Sequence, residues 1–248
     1  MRKGLLSFSL VLFLLTIIAP GSLALSTIED SFISQDLLFI ARNLGNRLSF
    51  TYTDLFGLDI PRNQVSLKIG LGRVGMLLEL SDLQNEIDLI YKERAGSFTT
   101  AIEISDKLTI GSRIRLSQID TVVTGSGWGL DLGFIYSPTP KLELALGLDN
   151  LIGQKQFSTE TVEQAKIGIN TQARLNLGSG FSLLCGLAEE DYTIGIEQQL
   201  SNKVALSANA SHSGLEGAFS LLQNKMGLNY KLAVYPLGVQ QTILLSVI

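Results

Sequence analysis

From Lys107 onward apolar and polar residues take turns along the chain. Leu108, Ile110, Ile114 and Leu116 fall on one parity, and Thr109, Gly111, Arg113, Arg115 and Ser117 on the other. Successive side chains of a strand point to opposite faces, so such a run predicts a strand with one apolar and one polar face. The pattern recurs in Trp128, Leu130, Leu132, Phe134 and Tyr136 against Gly127, Gly129, Asp131 and Gly133. It recurs again in Leu142, Leu144, Leu146 and Leu148 against Lys141, Glu143, Ala145, Gly147 and Asp149, and in Ile167, Ile169, Ala173, Leu175 and Leu177 against Lys166, Gly168, Asn170, Gln172, Arg174 and Asn176. Shorter stretches at 65–71, 74–80, 98–104 and 226–234 repeat it. With weaker runs counted, about 14 strands of roughly 7 to 13 residues are expected, a length that suits tilted membrane strands.

Compact polar or Gly/Pro breaks separate the runs: Asp106-Lys107, Ser137 to Pro140, Gly178-Ser179-Gly180, Glu189-Glu190, Ser201-Asn202 and Pro236-Leu237-Gly238. Breaks this short join antiparallel neighbours and predict an up-and-down meander. Three linkers look longer, at Leu55 to Arg62, Asp120 to Ser126 and Asn150 to Glu163. With both termini on the inner side, the parity of this count puts Pro236 to Gly238 outside and the longest linker inside. Leu215 to Leu222 is a candidate for a further strand, with Gln223-Asn224-Lys225 as its turn, so the strand count is set to within about two.

A closed sheet of about 14 strands is too wide for side chains to fill, so its interior should be polar and wet and its apolar parity should face lipid. The polar parity carries charges of both signs, including Glu79, Asp88, Glu103, Arg113, Arg115, Asp131, Glu143, Lys166, Arg174 and Glu197. Of these, Arg113, Arg115, Asp131, Glu143, Lys166, Arg174 and Glu197 are the expected lumen-facing residues. Tyr91, Phe98, Trp128, Tyr136, Phe181 and Tyr192 are expected at strand ends on the apolar parity, as a girdle at the two lipid headgroup levels. Eight steps separate Trp128 from Tyr136, roughly 26 Å along a strand and about 20 Å of height after tilting. The fold class is therefore all-β, an up-and-down antiparallel transmembrane β-barrel of about 12 to 15 strands.

The start of the chain is of another kind. Arg2 and Lys3, the apolar run Leu5 to Ala19 and the small-x-small triplet Ser22-Leu23-Ala24 read as a cleaved signal peptide over residues 1–24. The apolar run is too short for a spanning helix. Residues 25–46 form a separate N-terminal segment and 47–248 the barrel. Within the segment, Phe32, Ile33, Leu37, Leu38, Ile40 and Ala41 make an apolar stripe near the 3.6-residue period, so Ser31 to Asn43 is the one helix expected in the mature chain, lying at the periplasmic rim, with a further strand as the alternative.

Composition narrows the chemistry. Of 248 residues 46% are apolar and 17% charged, with 19 Lys+Arg against 23 Asp+Glu. No basic surplus exists to bind nucleic acid. The single Cys and single His exclude disulfide frameworks, thiolate clusters and multi-histidine metal sites. His212 between Ser211 and Ser213 has no second catalytic signature beside it and reads as a solvated turn residue; Cys185 shares the apolar parity of Phe181, Leu183 and Leu187 and reads as a lipid-facing hydrophobe. No enzyme and no cofactor is expected. Arg113 and Arg115 project from one strand, where pairing with carboxylates is the expectation and an anion bias the alternative. The glycines at 70, 72 and 75 have no helix after them, which excludes a dinucleotide loop; they are expected to relieve close side-chain packing.

Several segments carry a resemblance. Ile196-Glu197, Val204-Ala205-Leu206-Ser207, Gly227 to Leu232, Pro236-Leu237-Gly238 and Thr242 to Ser246 resemble the end of the PorV/PorQ-like outer-membrane barrels, relatives of the FadL fatty-acid transporters. Gly127 to Gly133 with Asp131 between glycines, and Gly147-Leu148-Asp149-Asn150, are similar to that family's middle. The resemblance covers about residues 95–248. The family's Gly/Ala-rich mature start and Asn-Pro-Ala-Gly motif have no counterpart in Ser26 to Asp59. It implies an outer-membrane barrel, and in FadL-like families an N-terminal segment that enters the barrel as a plug.

The expected function is passage of small or hydrophobic solutes across the outer membrane, with membrane lipid as the partner. The alternative is a non-conducting barrel that anchors a secretion or envelope partner protein; a soluble periplasmic β-protein or a barrel enzyme is the third class. The first expected outcome follows: on cell fractionation the mature chain is recovered with the outer membrane, and on gels unheated protein migrates apart from heated protein. Recovery in the soluble periplasmic fraction without detergent contradicts it.

Overall fold

The computed structural model describes residues 40, 45–55, 60–85, 91–120, 124–159, 162–188, 191–212, 214–223, 225–236 and 238–247. The side chains of Ile60, Asn85, Tyr91 and Asp191 are outside the description. The expected signal peptide, Asp88 and all of Ser31 to Asn43 except Ile40 also lie outside the described residues.

The alternating runs form fifteen strands: β1 (Arg47–Leu55), β2 (Ile60–Leu71), β3 (Val74–Asn85), β4 (Tyr91–Ser105), β5 (Leu108–Asp120), β6 (Gly125–Thr139), β7 (Leu142–Phe157), β8 (Val162–Gln164), β9 (Gly168–Gly178), β10 (Phe181–Ala188), β11 (Asp191–Ser201), β12 (Val204–Ser211), β13 (Leu215–Gln223), β14 (Met226–Tyr235) and β15 (Gly238–Val247). Every pairing is antiparallel and joins chain neighbours, except that β7 also pairs with β9, past the short β8 that folds back on it, and that the first strand pairs with the last. The seam joins β1 to β15, from Leu48 opposite Val247 to Asp54 opposite Gln241. With β8 outside the ring, fourteen strands close an up-and-down barrel.

Burial runs opposite to that of a water-soluble protein. Along β1, Arg47, Ser49, Thr51 and Thr53 are buried while Leu48, Phe50 and Tyr52 are exposed, Phe50 by 51%. The same holds round the ring: Lys68, Glu79, Thr99, Arg113, Asp131 and Asn170 are buried, and Leu80, Ile114, Leu116, Leu175, Ile194 and Leu232 face outward. An exposed apolar belt with buried charge is stable only if the belt meets lipid. Among the described residues no helix is long and apolar enough to cross a membrane.

The hairpins alternate between two ends. At the end that holds the start of β1 and the finish of β15, the connections are two residues each: 72–73, 106–107, 140–141, 179–180, 202–203 and 224–225. Glycine serves two of them. Gly72 turns with φ 62° and open space around it, so it is a turn residue and does not relieve packing. Ser179 and Gly180 both have positive φ (52° and 74°), the twist a two-residue hairpin requires. A Cβ on Gly180 would lie 2.5 Å from the Gln199 carbonyl oxygen.

All three longer linkers lie at the opposite end, together with the turn between β14 and β15. This corrects the expected placement of the 150–163 linker on the inner side. The reason is β13, whose alternation is blurred by Gly217 on the apolar parity and by Ala218 and Leu222 on the other. Counting it as a strand flips the parity of everything before it. Much of that linker is also strand, since β7 runs on to Phe157.

Face orientation has a direct test. Leu132 and Leu146 lie on the lipid-facing parity of β6 and β7. Leu132→Arg and Leu146→Arg should each cost about 2 to 4 kcal/mol of barrel stability in a bilayer, as for a cation near the midplane. Glu143→Gln, on the other parity, should change unfolding in urea little.

Candidate functional site

The inward residues of β5, β6 and β7 build the densest polar cluster. Arg113 and Arg115, two apart on β5, share a face, and Asp131 of β6 stands opposite Arg113 in register. Asp131 accepts from Arg113 Nε at 2.7 Å, from Arg115 Nε at 2.8 Å and Nη2 at 3.0 Å, and from the backbone N–H of Asn150 at 2.7 Å. Arg113 Nη2 also donates to Asp149 at 3.0 Å, and the other Asp149 oxygen accepts from the Asn170 amide. Arg115 Nη2 reaches the Asn150 side-chain oxygen at 2.6 Å. Arg113 is 1% exposed and Asp131 0%. Charges so enclosed persist because each is paired and hydrogen-bonded.

Backbone irregularity makes room for this cluster. Between Leu130 and Leu132 of β6 the register jumps from Ile152 to Leu148 on β7, so three β7 residues oppose Asp131 alone, and Asn150 takes φ 54°. The bulge turns the Asn150 N–H inward to the carboxylate. On the lumen parity Gly147 lies under the Asn170 amide, which a Cβ would meet at 2.5 Å. The glycines that alternate with charges on these strands are thus spaces for the charged side chains.

The other expected lumen residues divide. Glu143 stands opposite Arg174 across β7 and β9, and Arg174 pairs with Glu197 of β11 at 3.0 Å while donating to Ser182 at 3.3 Å. Lys166 is a correction: it is exposed in the connection between β8 and β9, because β9 starts only at Gly168 and the chain leaves the ring before it. Two clusters were not singled out. Glu79 accepts from Gln64 at 2.9 Å and Ser97 at 3.2 Å, and Lys231 pairs with Glu216 at 2.5 Å. Their parity was legible; their partners, on the adjacent strands, were not.

The aromatic expectation also divides. Trp128 and Tyr192 are exposed near the longer-loop end, Tyr136 exposed and Phe181 half-buried near the two-residue-turn end. Phe98 is a correction, being exposed halfway along β4, since that strand runs on from 98 in both directions to fifteen residues. Tyr91 begins β4, and its side chain lies outside the described residues. Cys185 faces outward and exposed, and His212 is exposed beside the turn after β12.

One apolar patch interrupts the polar wall. Leu77, Ala101, Ile135 and Ala145, inward residues near the two-residue-turn end of β3, β4, β6 and β7, form a buried cluster with Ile40. Ile40 has helical conformation and no exposed surface. A residue of the N-terminal segment therefore lies inside the ring against an apolar part of its wall.

No family model matches the chain, and no curated protein matches its sequence. Solved structures share its fold. The Pseudomonas putida toluene transporter TodX superposes with a TM-score of 0.60 at 10% identity, over 93% of this chain and 94% of that one. The Ralstonia pickettii toluene transporter TbuX gives 0.55 at 12%, over 82% and 88%, and a Pseudomonas aeruginosa FadL homologue 0.54 at 8%, over 81% and 89%. The chain has the fold of FadL-type barrels. Among the described residues no group of His, Cys, Asp and Glu could hold a metal ion.

Asp131 should be the linchpin of the wall. Asp131→Ala removes the shared partner of two arginines, one of them fully buried, and should cost about 3 to 5 kcal/mol in urea unfolding. Arg115→Ala in that background should cost less than it does in the wild type, since the interaction it loses is already gone.

Proposed function

We propose that the chain is an outer-membrane channel for small, neutral, hydrophobic solutes, closed at rest by its N-terminal segment. The observation that carries the reading is Ile40, fully buried on an apolar patch inside a barrel whose inner wall also buries charged side chains. The lumen charges support neutral cargo. Arg113, Arg115, Arg174 and Lys231 are each paired with a carboxylate of a nearby strand, so the wall offers little net field to an ion. The fold likeness to proteins named as toluene transporters supports the solute class, and the PorV/PorQ-like segments of residues 95–248 support the outer membrane. Loop lengths orient the molecule: the two-residue turns face the periplasm and the longer connections the exterior.

Deleting residues 31–43 tests this. Full-length protein should conduct poorly in planar bilayers, and the deletion should open a pore whose ion preference shifts when Arg113 or Arg115 is replaced. Uptake of a monoaromatic hydrocarbon into proteoliposomes should require the protein. A folded deletion variant with neither conductance nor uptake contradicts the reading and favours a barrel that anchors an envelope partner protein.

A further inference from the structure

The two ends of the barrel differ in charge. Of the six two-residue turns, those at 72–73, 106–107, 140–141, 202–203 and 224–225 carry a cation each, Arg73, Lys107, Lys141, Lys203 and Lys225, against a single acid, Asp106. The stretches that connect strands at the opposite end reverse the balance, with Asp59, Glu86, Asp88, Glu160, Glu189 and Glu190 against Lys166. Turn geometry does not ask for this pattern. Ser179-Gly180 closes its hairpin without a charge, and two-residue hairpins favour Gly, Asn and Asp over Lys.

Nor does the fold use these cations for its own stability. All five are exposed. Arg73 reaches Asp106 at 3.3 Å, but both side chains stand in solvent, where such a pair contributes little. Among the described residues Lys107, Lys141, Lys203 and Lys225 make no ion pair. Successive hairpins are two strands apart, roughly 10 Å, so their like charges repel weakly at ordinary ionic strength. The result is an open ring of positive charge around one mouth of the barrel.

The lipid-facing belt fixes the level of this ring. An exposed apolar residue of the outward parity lies within three positions of each cation: Leu71 before Arg73, Ile104 before Lys107, Leu144 after Lys141, Leu200 before Lys203 and Met226 after Lys225. Three residues of a tilted strand span about 8 Å of height. The charged groups therefore stand where the acyl chains give way to headgroups, with their methylene stems beside the apolar belt.

We propose that the two-residue turns form a cationic collar that binds phospholipids of net negative charge in the leaflet at that end, which the loop lengths make the periplasmic one. The chemistry recognised is an anionic phosphodiester headgroup such as that of phosphatidylglycerol. A zwitterionic headgroup carries its own ammonium beside the phosphate, so a ring of positive charge attracts it less. The acidic connections at the other end repel the same lipid, which makes the preference one-sided. None of this depends on what the barrel passes.

The test uses the full chain folded into dioleoylphosphatidylcholine vesicles with a trace of spin-labelled phosphatidylglycerol or spin-labelled phosphatidylcholine. The share of each label immobilised at the protein surface gives their relative association. Phosphatidylglycerol should be favoured about twofold at low salt, and the preference should vanish in about 1 M salt. Arg73→Gln, Lys107→Gln, Lys141→Gln, Lys203→Gln and Lys225→Gln combined, folded as judged by gel mobility, should abolish it, and Lys203→Gln with Lys225→Gln alone should reduce it. Lys155→Gln with Lys166→Gln, at the opposite end, should leave it unchanged. Equal association of the two lipids with the wild type overturns the proposal and leaves the basic turns to an acidic protein partner. A preference that survives high salt or the turn substitutions also overturns it, as does one that the Lys155 and Lys166 substitutions remove.

Discussion

A sheet in hydrocarbon cannot leave an edge, because each backbone N–H or C=O without a partner costs several kcal/mol where no water can serve it. The pairing of β1 with β15 meets that demand, and the rest of the structure depends on it. Closure requires an even ring when neighbours are all antiparallel, which leaves β8 outside as a return on β7. It also puts the first and last strands side by side, with Thr53 and Thr242 joining hydroxyls across the seam at 3.1 Å on the lumen side.

Closing the ring traps one face of every strand in a space that fourteen strands make too wide to fill with hydrocarbon side chains. The buried charges are the consequence. Each carboxylate of the Arg113 cluster accepts from more than one neighbour, and the cluster runs from β5 through β6 and β7 to β9. It ties the wall together where the strands are least regular, at the three residues of β7 that face Asp131. Above that bulge β7 parts from β9 and continues with β6 and β8, so the polar cluster sits where β7 leaves β9.

The same wall serves two solvents. Its outward parity is apolar through the belt and turns polar beyond it, at Asp82, Arg94, Gln118 and Asp120 on β3 to β5. Its inward parity carries the buried charges, and near the two-residue-turn end Leu77, Ala101, Ile135 and Ala145 receive Ile40. A lumen in which charges cancel locally and an apolar segment has a defined seat is suited to solutes that carry no charge.

Period-two alternation by itself determined that this chain is a many-stranded antiparallel sheet with one apolar and one polar face, because face assignment along a strand is local. Lumen width then made the apolar face the outer one, and Arg113, Arg115, Asp131, Arg174 and Glu197 could be placed inward from parity alone. Partner choice was not legible. Asp131 binds Arg115 diagonally and the N–H of Asn150 through a bulge, and a bulge changes register by residues that carry no special signature. Nor was the end of each strand legible: Lys166 continues the alternation in sequence after the backbone has left the ring, Phe98 sits mid-strand because β4 runs further than its apolar positions, and the faint pattern of β13 reversed the side of the longest linker. Only the tertiary structure decided these, because strand length and register are set by hydrogen bonding to a neighbour, and the neighbour lies elsewhere in the chain.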